Sequence, residues 1–292
     1  MFSSLTIFFI INIYNLDVDL LKYINNKIVI IIFISVILST ILIAKRLQII
    51  LKPITNINFS VVFNYSLISF FFNITTLAGS GEIIKYILLK KKRIKINNLI
   101  STFFIEKFFG LISTTSIIIF IYFFFMNEIF LIISLIIMFV FVHLLIKNNL
   151  FVKYLPYLNF NEFNLSTNLK KISIKYIYTI SILIHSVFII QFYSIFMFQG
   201  IDISIRELLI FILFLLIMNS IPLFFMGFGA RELAVIIFSQ FYNVDIQSML
   251  NLTLTFGLIY FIIAIFISII VYFTSLKYLK INLINYILKK NK

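Results

Sequence analysis

The sequence predicts an all-α fold, a polytopic helical bundle that spans a membrane. Three observations predict it: 62% of the residues are hydrophobic and only 12% are charged, and the mean hydropathy is +1.14. Several apolar runs approach the roughly 20 residues that a helix needs to cross a bilayer. These runs are continuous, without the alternation that the strands of a membrane barrel require. We expect about 7 or 8 spans.

The apolar runs can be followed in order along the chain. Residues 2–16 come first and form a short helix rather than a signal peptide, since no basic segment precedes them. Because no polar stretch exceeds about 25 residues, residues 1–292 are expected to form a single transmembrane domain. The later apolar stretches cover residues 28–44, 59–77, 83–89, 99–125, 129–146, 172–198, 208–242 and 249–273.

The stretch 208–242 is interrupted in its middle by residues that a lipid-embedded helix tolerates poorly. Pro222 removes a backbone donor and clashes with the preceding turn. Gly227 and Gly229 follow, and then the adjacent charges of Arg231 and Glu232. An ionised side chain at the bilayer centre costs about 2.5–3.5 kcal/mol on insertion scales. Backbone freed at that depth survives only when it is buried in protein or lines a wet cavity, so this segment is predicted to form a binding site.

The stretch 59–89 contains a similar interruption. Asn73 precedes Gly79-Ser80-Gly81-Glu82, as Asn219 precedes the second Gly-X-Gly motif. Each motif then starts a short helix with a charged residue in its first turn. We therefore predict two broken, re-entrant hairpins within an inverted repeat, with halves at about 28–146 and 172–276. In such repeats, broken helices meet near the midplane and point their N-terminal dipoles at an anionic group.

The distribution of basic residues predicts the orientation in the membrane. If both interrupted stretches enter and leave on one side, 18 of the 24 Lys and Arg residues face one side and three face the other. Basic residues concentrate in cytoplasmic loops. The chain is therefore expected to be a multi-pass membrane protein with a cytoplasmic C-terminus. The net charge of +14 is explained in the same way, and we expect no binding of nucleic acid.

The remaining charges within apolar stretches are candidate site residues with structural alternatives. Glu82 and Lys85 can pair across one helical turn, either in the site or as a pair near the interface. Glu106 shares a face with Gly110, where glycine would permit close approach of another helix. The alternative for this region is that Glu106 caps a loop and that its neighbour Lys107 reaches the membrane surface. Arg231 and Glu232 have the alternative of a buried structural ion pair.

Several further residues are interpreted as structural. Arg46 is interpreted as an anchor of its helix at the interface, with a place in the site as the alternative. His143 and His185 are expected to make interhelical hydrogen bonds rather than bind a metal. We expect neither a metal nor a cofactor, because no spacing of His, Cys, Asp and Glu resembles a metal site and the Gly-X-Gly motifs lack the context of a nucleotide fingerprint. The chain contains no cysteine.

These motifs together resemble the transmembrane region of the lysylphosphatidylglycerol synthases, a flippase-like membrane family. The resemblance covers nearly the whole chain and is most specific at Pro222 and the residues that follow it. It implies a bacterial or archaeal inner-membrane protein that moves a modified lipid between leaflets. The chain has no aminoacyl-transfer domain, so synthase activity is not expected. It also has Thr75 and Thr76 where the family often shows proline, and Lys107 where arginine is common.

The predicted function is translocation of an anionic lipid, either a phospholipid or a polyprenyl-phosphate-linked headgroup. Membrane lipids are the expected partners, with a lipid-modifying or glycan-building enzyme as a further one. The predicted substrate-binding residues are Asn73, Gly79, Gly81, Glu82, Lys85, Glu106, Lys107, Pro222, Gly227, Gly229, Arg231 and Glu232.

Two alternatives to transport stay open at this point. One is a glycosyltransferase that uses a polyprenyl-linked sugar, with Asp17 and Asp19 as its carboxylates. The other is a membrane accessory protein that transports nothing.

Overall fold

The computed structural model describes residues 25–75, 80–90, 94, 96–126, 173–201, 203–219, 229–242 and 244–279. This part of the chain folds into eight helices and contains no strand, which confirms the predicted all-α bundle. The expected segments 2–16 and 129–146 lie outside the described residues. The helices are α1 (Asn26–Leu51), α2 (Phe59–Thr75), α3 (Ser80–Lys90), α4 (Ile96–Met126), α5 (Ile174–Phe198), α6 (Ile205–Asn219), α7 (Ala230–Phe241) and α8 (Ile246–Leu279).

Three of the described helices are long and apolar enough to cross a membrane, namely α1, α5 and the part of α8 at Ile246–Ile267. Large apolar side chains on these helices, such as Ile34, Leu183 and Ile262, are exposed. Their exposure is favourable against lipid tails but would be costly against water. The molecule is therefore a membrane-spanning bundle.

Both predicted interruptions separate two helices. The first falls between α2 and α3, across residues 76–79, and the second falls between α6 and α7, across residues 220–229. Phe211 of α6 nevertheless contacts Phe238 of α7, with 5.4 Å between ring centroids. A continuous helix would hold residues 27 positions apart about 40 Å from each other. The chain therefore turns back within the second interruption.

The largest apolar core joins the two halves of the chain and is rich in aromatic rings. Phe192 of α5 contacts Phe211 of α6 and Phe256 of α8, and all three side chains are buried. Such ring pairs stabilise a core beyond the area they bury. Ala234, Val235 and Phe238 of α7 belong to this core, which holds α7 against α6 and α8.

The helix contacts of the first half, α1–α4, correspond to those of the second half, α5–α8. The packing of α2 on α3 corresponds to that of α6 on α7, and the packing of α3 on α4 corresponds to that of α7 on α8. Across the halves, α2 packs on α8 as α6 packs on α4, and α4 packs on α5 as α8 packs on α1. Two related halves would give such a pattern. The inverted orientation of the halves stays a prediction.

Candidate functional site

Five charged side chains from three helices form what we call the ionic cluster. Arg46 comes from α1, Glu82 and Lys85 come from α3, and Glu106 and Lys107 come from α4. Three of the five, Arg46, Lys85 and Glu106, have side chains that are at most 11% exposed. The cluster lies in the helical part of the bundle, so it is built into a membrane-spanning structure rather than into a surface loop.

Glu106 is the central residue of this cluster. Its Oε1 accepts from the Arg46 guanidinium at 3.2 Å and from Lys85 Nζ at 3.4 Å. Its Oε2 accepts from Lys85 Nζ at 3.1 Å and from the Tyr86 hydroxyl at 3.0 Å. Charge-assisted bonds of this kind are roughly twice as strong as neutral ones. Both oxygens of Glu106 are thus fully used, which stabilises the ionised carboxylate.

The outer side of the cluster is formed by Glu82 and Lys107. The Glu82 carboxylate contacts Lys85 Nζ at 2.5 Å and Lys107 Nζ at 3.5 Å. The expected pairing of Glu82 with Lys85 is therefore confirmed. Lys107 is 51% exposed, so the charges alternate in sign from an exposed edge into the core. With all five groups ionised, three cations and two carboxylates leave a net charge of +1.

The first interruption positions these residues by bringing α2 and α3 into close contact. The Gly81 N–H donates to Asn73 Oδ1 at 2.9 Å, so the C-terminal turn of α2 caps the start of α3. A Cβ at position 81 would lie 1.8 Å from the Ser69 carbonyl oxygen, a distance that only glycine avoids. Because four residues join the two packed helices, they form an antiparallel hairpin. Glu82 and Lys85 follow in the first turns of α3.

Arg46 joins the cluster to the second half of the chain. Besides Glu106, it donates to Ser181 Oγ of α5 at 3.1 Å. The interpretation of Arg46 as an interface anchor was wrong, because its long side chain turns into the bundle and pairs there with the carboxylate of Glu106. One turn further along α5, His185 Nε2 lies 3.0 Å from Thr114 Oγ1 of α4. The interhelical role expected for His185 is confirmed.

Two other expectations for α4 need correction. A Cβ at Gly110 would meet Arg46 Nη1 at 4.0 Å and nothing nearer among the described residues, so this glycine does not mediate the close helix contact that its spacing suggested. Glu106 lies inside α4 and is 2% exposed, so it does not cap a loop. Helix α4 begins at Ile96, well before Glu106, and the long side chain of Arg46 from α1 lies beside both Glu106 and Gly110.

A second polar centre lies at the start of α7. Gly229 precedes the helix with φ of 88°, a backbone conformation that favours glycine. Its N–H donates to Glu232 Oε2 at 2.6 Å, and this bond caps the first turn of α7. The guanidinium of Arg231 lies 5.1 Å from the centre of the Phe256 ring of α8. Arg231 and Glu232 are both buried, at 4% and 0% exposure.

The ionic cluster and the second polar centre are formed by different helices. The contacts of Lys85 described above lie within α3 and α4, whereas Arg231 lies over a ring of α8. A single headgroup bound by both Lys85 and Arg231 therefore stays a prediction. The amides of Gly81 and Gly229, two of the predicted substrate-binding residues, both donate to side chains. The predicted site residues Gly79, Pro222 and Gly227 lie outside the described residues.

Sequence reasoning missed two residues that bond to the ionic cluster, Tyr86 and Ser181, and it gave Arg46 a place in the site only as the alternative. A signal for Ser181 was present, since Tyr178, Ser181 and His185 form a polar stripe at helical spacing on an apolar span. Tyr86 had no such signal, because its neighbours in sequence do not reveal that Glu106 lies opposite.

The fold and the site define a class: a polytopic helical membrane protein with charged residues held between broken helices. The protein family described as the lysylphosphatidylglycerol synthase TM region matches residues 2–268, and the chain belongs to this family. The predicted family resemblance is thereby confirmed. No curated protein and no solved structure matches the chain significantly.

Proposed function

We propose that this protein moves an anionic polar-head lipid between the leaflets of the cell inner membrane. The observation that carries this proposal is the ionic cluster, whose net charge of +1 lies among membrane helices. Burying so many charges is expensive. This cost is explained if the charges bind a lipid headgroup while the lipid tails stay in the bilayer. An excess of one cation suits a headgroup with one phosphodiester charge.

The arrangement of charges suggests how a headgroup would enter. Lys107, the most exposed member, would meet the phosphate first. Lys85 and Arg46 would then exchange the carboxylate of Glu106 for phosphate oxygens, which arginine binds with favourable geometry. Asn73 and Glu232 at present occupy the amides of Gly81 and Gly229, and phosphate would compete with these side chains for the amides.

A leaflet-exchange assay with fluorescent anionic phospholipids in liposomes tests the proposal. Lys85→Ala and Arg231→Ala should each lower the rate of exchange at least tenfold. Lys45→Ala is the matched control, because Lys45 is an exposed cation of α1 next to Arg46 and bonds only to Gln48 among the hydrogen bonds described. Equal exchange by wild type and both alanine variants would contradict the proposal.

One alternative is an accessory protein without transport. It predicts that Arg46, Lys85 and Glu106 can be replaced together by leucine or methionine without loss of the cellular phenotype, since a buried ion pair is often replaceable by apolar residues. Our proposal predicts that this triple variant folds and loses exchange. The carboxylates Asp17 and Asp19 of the glycosyltransferase alternative lie outside the described residues.

A further inference from the structure

The second polar centre contains a buried carboxylate that is only half satisfied. Glu232 is the third residue of α7, a helix of 12 residues, and it is 0% exposed. Its Oε2 accepts from the Gly229 N–H. Its Oε1 is buried and accepts no hydrogen bond in the part of the chain that the structure describes. A buried polar atom without a partner costs about 1–3 kcal/mol, and more when it carries charge.

The buried carboxylate of Glu106 accepts more hydrogen bonds than that of Glu232. Both of its oxygens accept bonds, from Arg46, Lys85 and the hydroxyl of Tyr86. Those donors stabilise the ionised form and oppose protonation. Glu232 accepts only from backbone amides among the described residues, whereas Glu106 accepts four bonds from two cations and a hydroxyl. A proton on its Oε1 removes the charge at the atom that has no donor and leaves the bond from Gly229 intact.

Among the residues that the structure describes, few other titratable groups lie near Glu232. Its sequence neighbour Arg231 lies over Phe256 of α8, and Tyr260 is the titratable residue of α8 that interacts with Arg231. Helix α6 carries no titratable side chain from residue 208 to 218; Arg206 and Glu207 lie at its other end. Asp245 precedes α8 and is held by Ser248 in an exposed position. In the part of the chain that the structure describes, Arg231 is therefore the charge that interacts with Glu232.

We propose that Glu232 takes up and releases a proton, and that its protonation prepares Arg231 to bind one anionic headgroup. An O–H bond forms at Oε1 with a proton taken from water, and it breaks when the proton returns to water. The net charge of Arg231 and Glu232 changes from zero to +1 on uptake, and the headgroup phosphate restores neutrality. Since linkage is reciprocal, headgroup binding also favours proton binding. This inference rests on the proposed function and names the ion that accompanies the lipid.

Proton uptake on lipid binding tests the inference with the purified full-length protein. A short-chain phosphatidylglycerol is added in weak buffer that contains a pH indicator. Wild type should take up one proton for each lipid bound. Glu232→Gln should bind the lipid with no uptake, because glutamine can keep the bond to Gly229 but cannot titrate. Glu207→Gln, at the far end of α6, is the control and should behave as wild type. Binding without uptake by wild type, or equal uptake by Glu232→Gln, would overturn the inference.

Infrared spectroscopy separates this inference from the proposed function. A pH titration without lipid should show the carbonyl band of a protonated buried carboxylic acid in wild type and in Glu207→Gln, and should lack it in Glu232→Gln. If wild type binds no lipid but shows this band, the proposed function fails and the proton site stands. If the band is absent, or disappears in Glu106→Gln instead, the proton site is overturned whatever the lipid result.

Discussion

The two broken segments of the chain start from similar motifs but handle charge differently. In the first segment, Asn73 caps the amide of Gly81, which leaves Glu82 to pair with Lys85. In the second segment, Glu232 itself caps the amide of Gly229. In the first centre each carboxylate is paired to a cation, whereas in the second centre Glu232 Oε1 accepts no hydrogen bond among the described residues. The same helix-start motif can thus supply either a fixed ionic cluster or a titrating group.

The largest expected effect concerns the network of the first segment. Glu106→Ala would leave Arg46 and Lys85 buried without their shared carboxylate, and breaking a buried pair costs about 3–5 kcal/mol. We expect a loss of that size in the free energy of unfolding, measured by circular dichroism in detergent. Lys45→Ala is the control, with an expected change within about 0.5 kcal/mol. A loss for Glu106→Ala as small as that of the control would show that the network contributes little.

Alanine substitutions at three glycines should destabilise the protein to different extents, in a defined order. Gly81→Ala forces a Cβ to 1.8 Å from backbone oxygen and should cost about 3 kcal/mol or more, because α2 and α3 must separate. Gly229→Ala strains a residue with φ of 88° and should cost about 1–3 kcal/mol. Gly110→Ala, with room for a methyl group, should be neutral or stabilising. Thermal unfolding of the three variants checks the order, and a Gly110→Ala loss equal to that of Gly81→Ala would contradict it.

Substitutions of Arg46 and of its partner Ser181 should have an intermediate effect on leaflet exchange. Arg46→Lys keeps the charge but cannot reach Glu106 and Ser181 together. We expect leaflet exchange to fall about tenfold, which corresponds to about 1.4 kcal/mol. Ser181→Ala removes only the neutral partner and should lower exchange less. If Arg46→Lys exchanges lipid as fast as wild type, a cation alone is sufficient at this position.

The smallest expected effect concerns Asp245, an exposed residue directly before α8. Hydrogen bonds from the Ser248 hydroxyl and from the amides of Ser248 and Gln247 hold the pKa of Asp245 below its usual value. A lowered folded-state pKa stabilises the protein above the unfolded pKa, and this contribution disappears as the pH falls through the folded value. Below about pH 3.8 the first turn of α8 should therefore exchange its amide hydrogens faster. Asp245→Asn should abolish that pH dependence; an unchanged acid response in this variant would point to another group.

The helical fold was predictable from the sequence because lipid restricts the backbone structures that can span a membrane. Every buried backbone group must bond internally, so long apolar runs become helices and a proline with glycines ends them. The interruptions predicted from those glycines and from Pro222 fall where α2 ends at Thr75 and where α6 ends at Asn219. The pairing of Glu82 with Lys85 was also predictable, since three residues separate them on one helix.

The composition of the site was harder to predict, because its central contacts join residues far apart in sequence. Arg46 and Glu106 are 60 positions apart, and Arg46 and Ser181 are 135 apart. An arginine beside a lysine at the end of an apolar run has the same local pattern whether it points to the headgroups or to a buried carboxylate. Only the packing of α1 against α4 and α5 decides between these directions.

Thiol labelling offers the most direct test of the central claim, that the ionic cluster is a site which opens to water. The chain has no cysteine, so single substitutions give unambiguous signals. Ser181→Cys places a thiol beside Arg46, and Leu183→Cys places one on the lipid-facing side of the same helix. We predict that a charged, water-soluble thiol reagent modifies Ser181→Cys in membranes, more slowly with short-chain anionic phospholipid present, and leaves Leu183→Cys unmodified. Equal resistance of both thiols would mean a dry, structural cluster and would contradict the account.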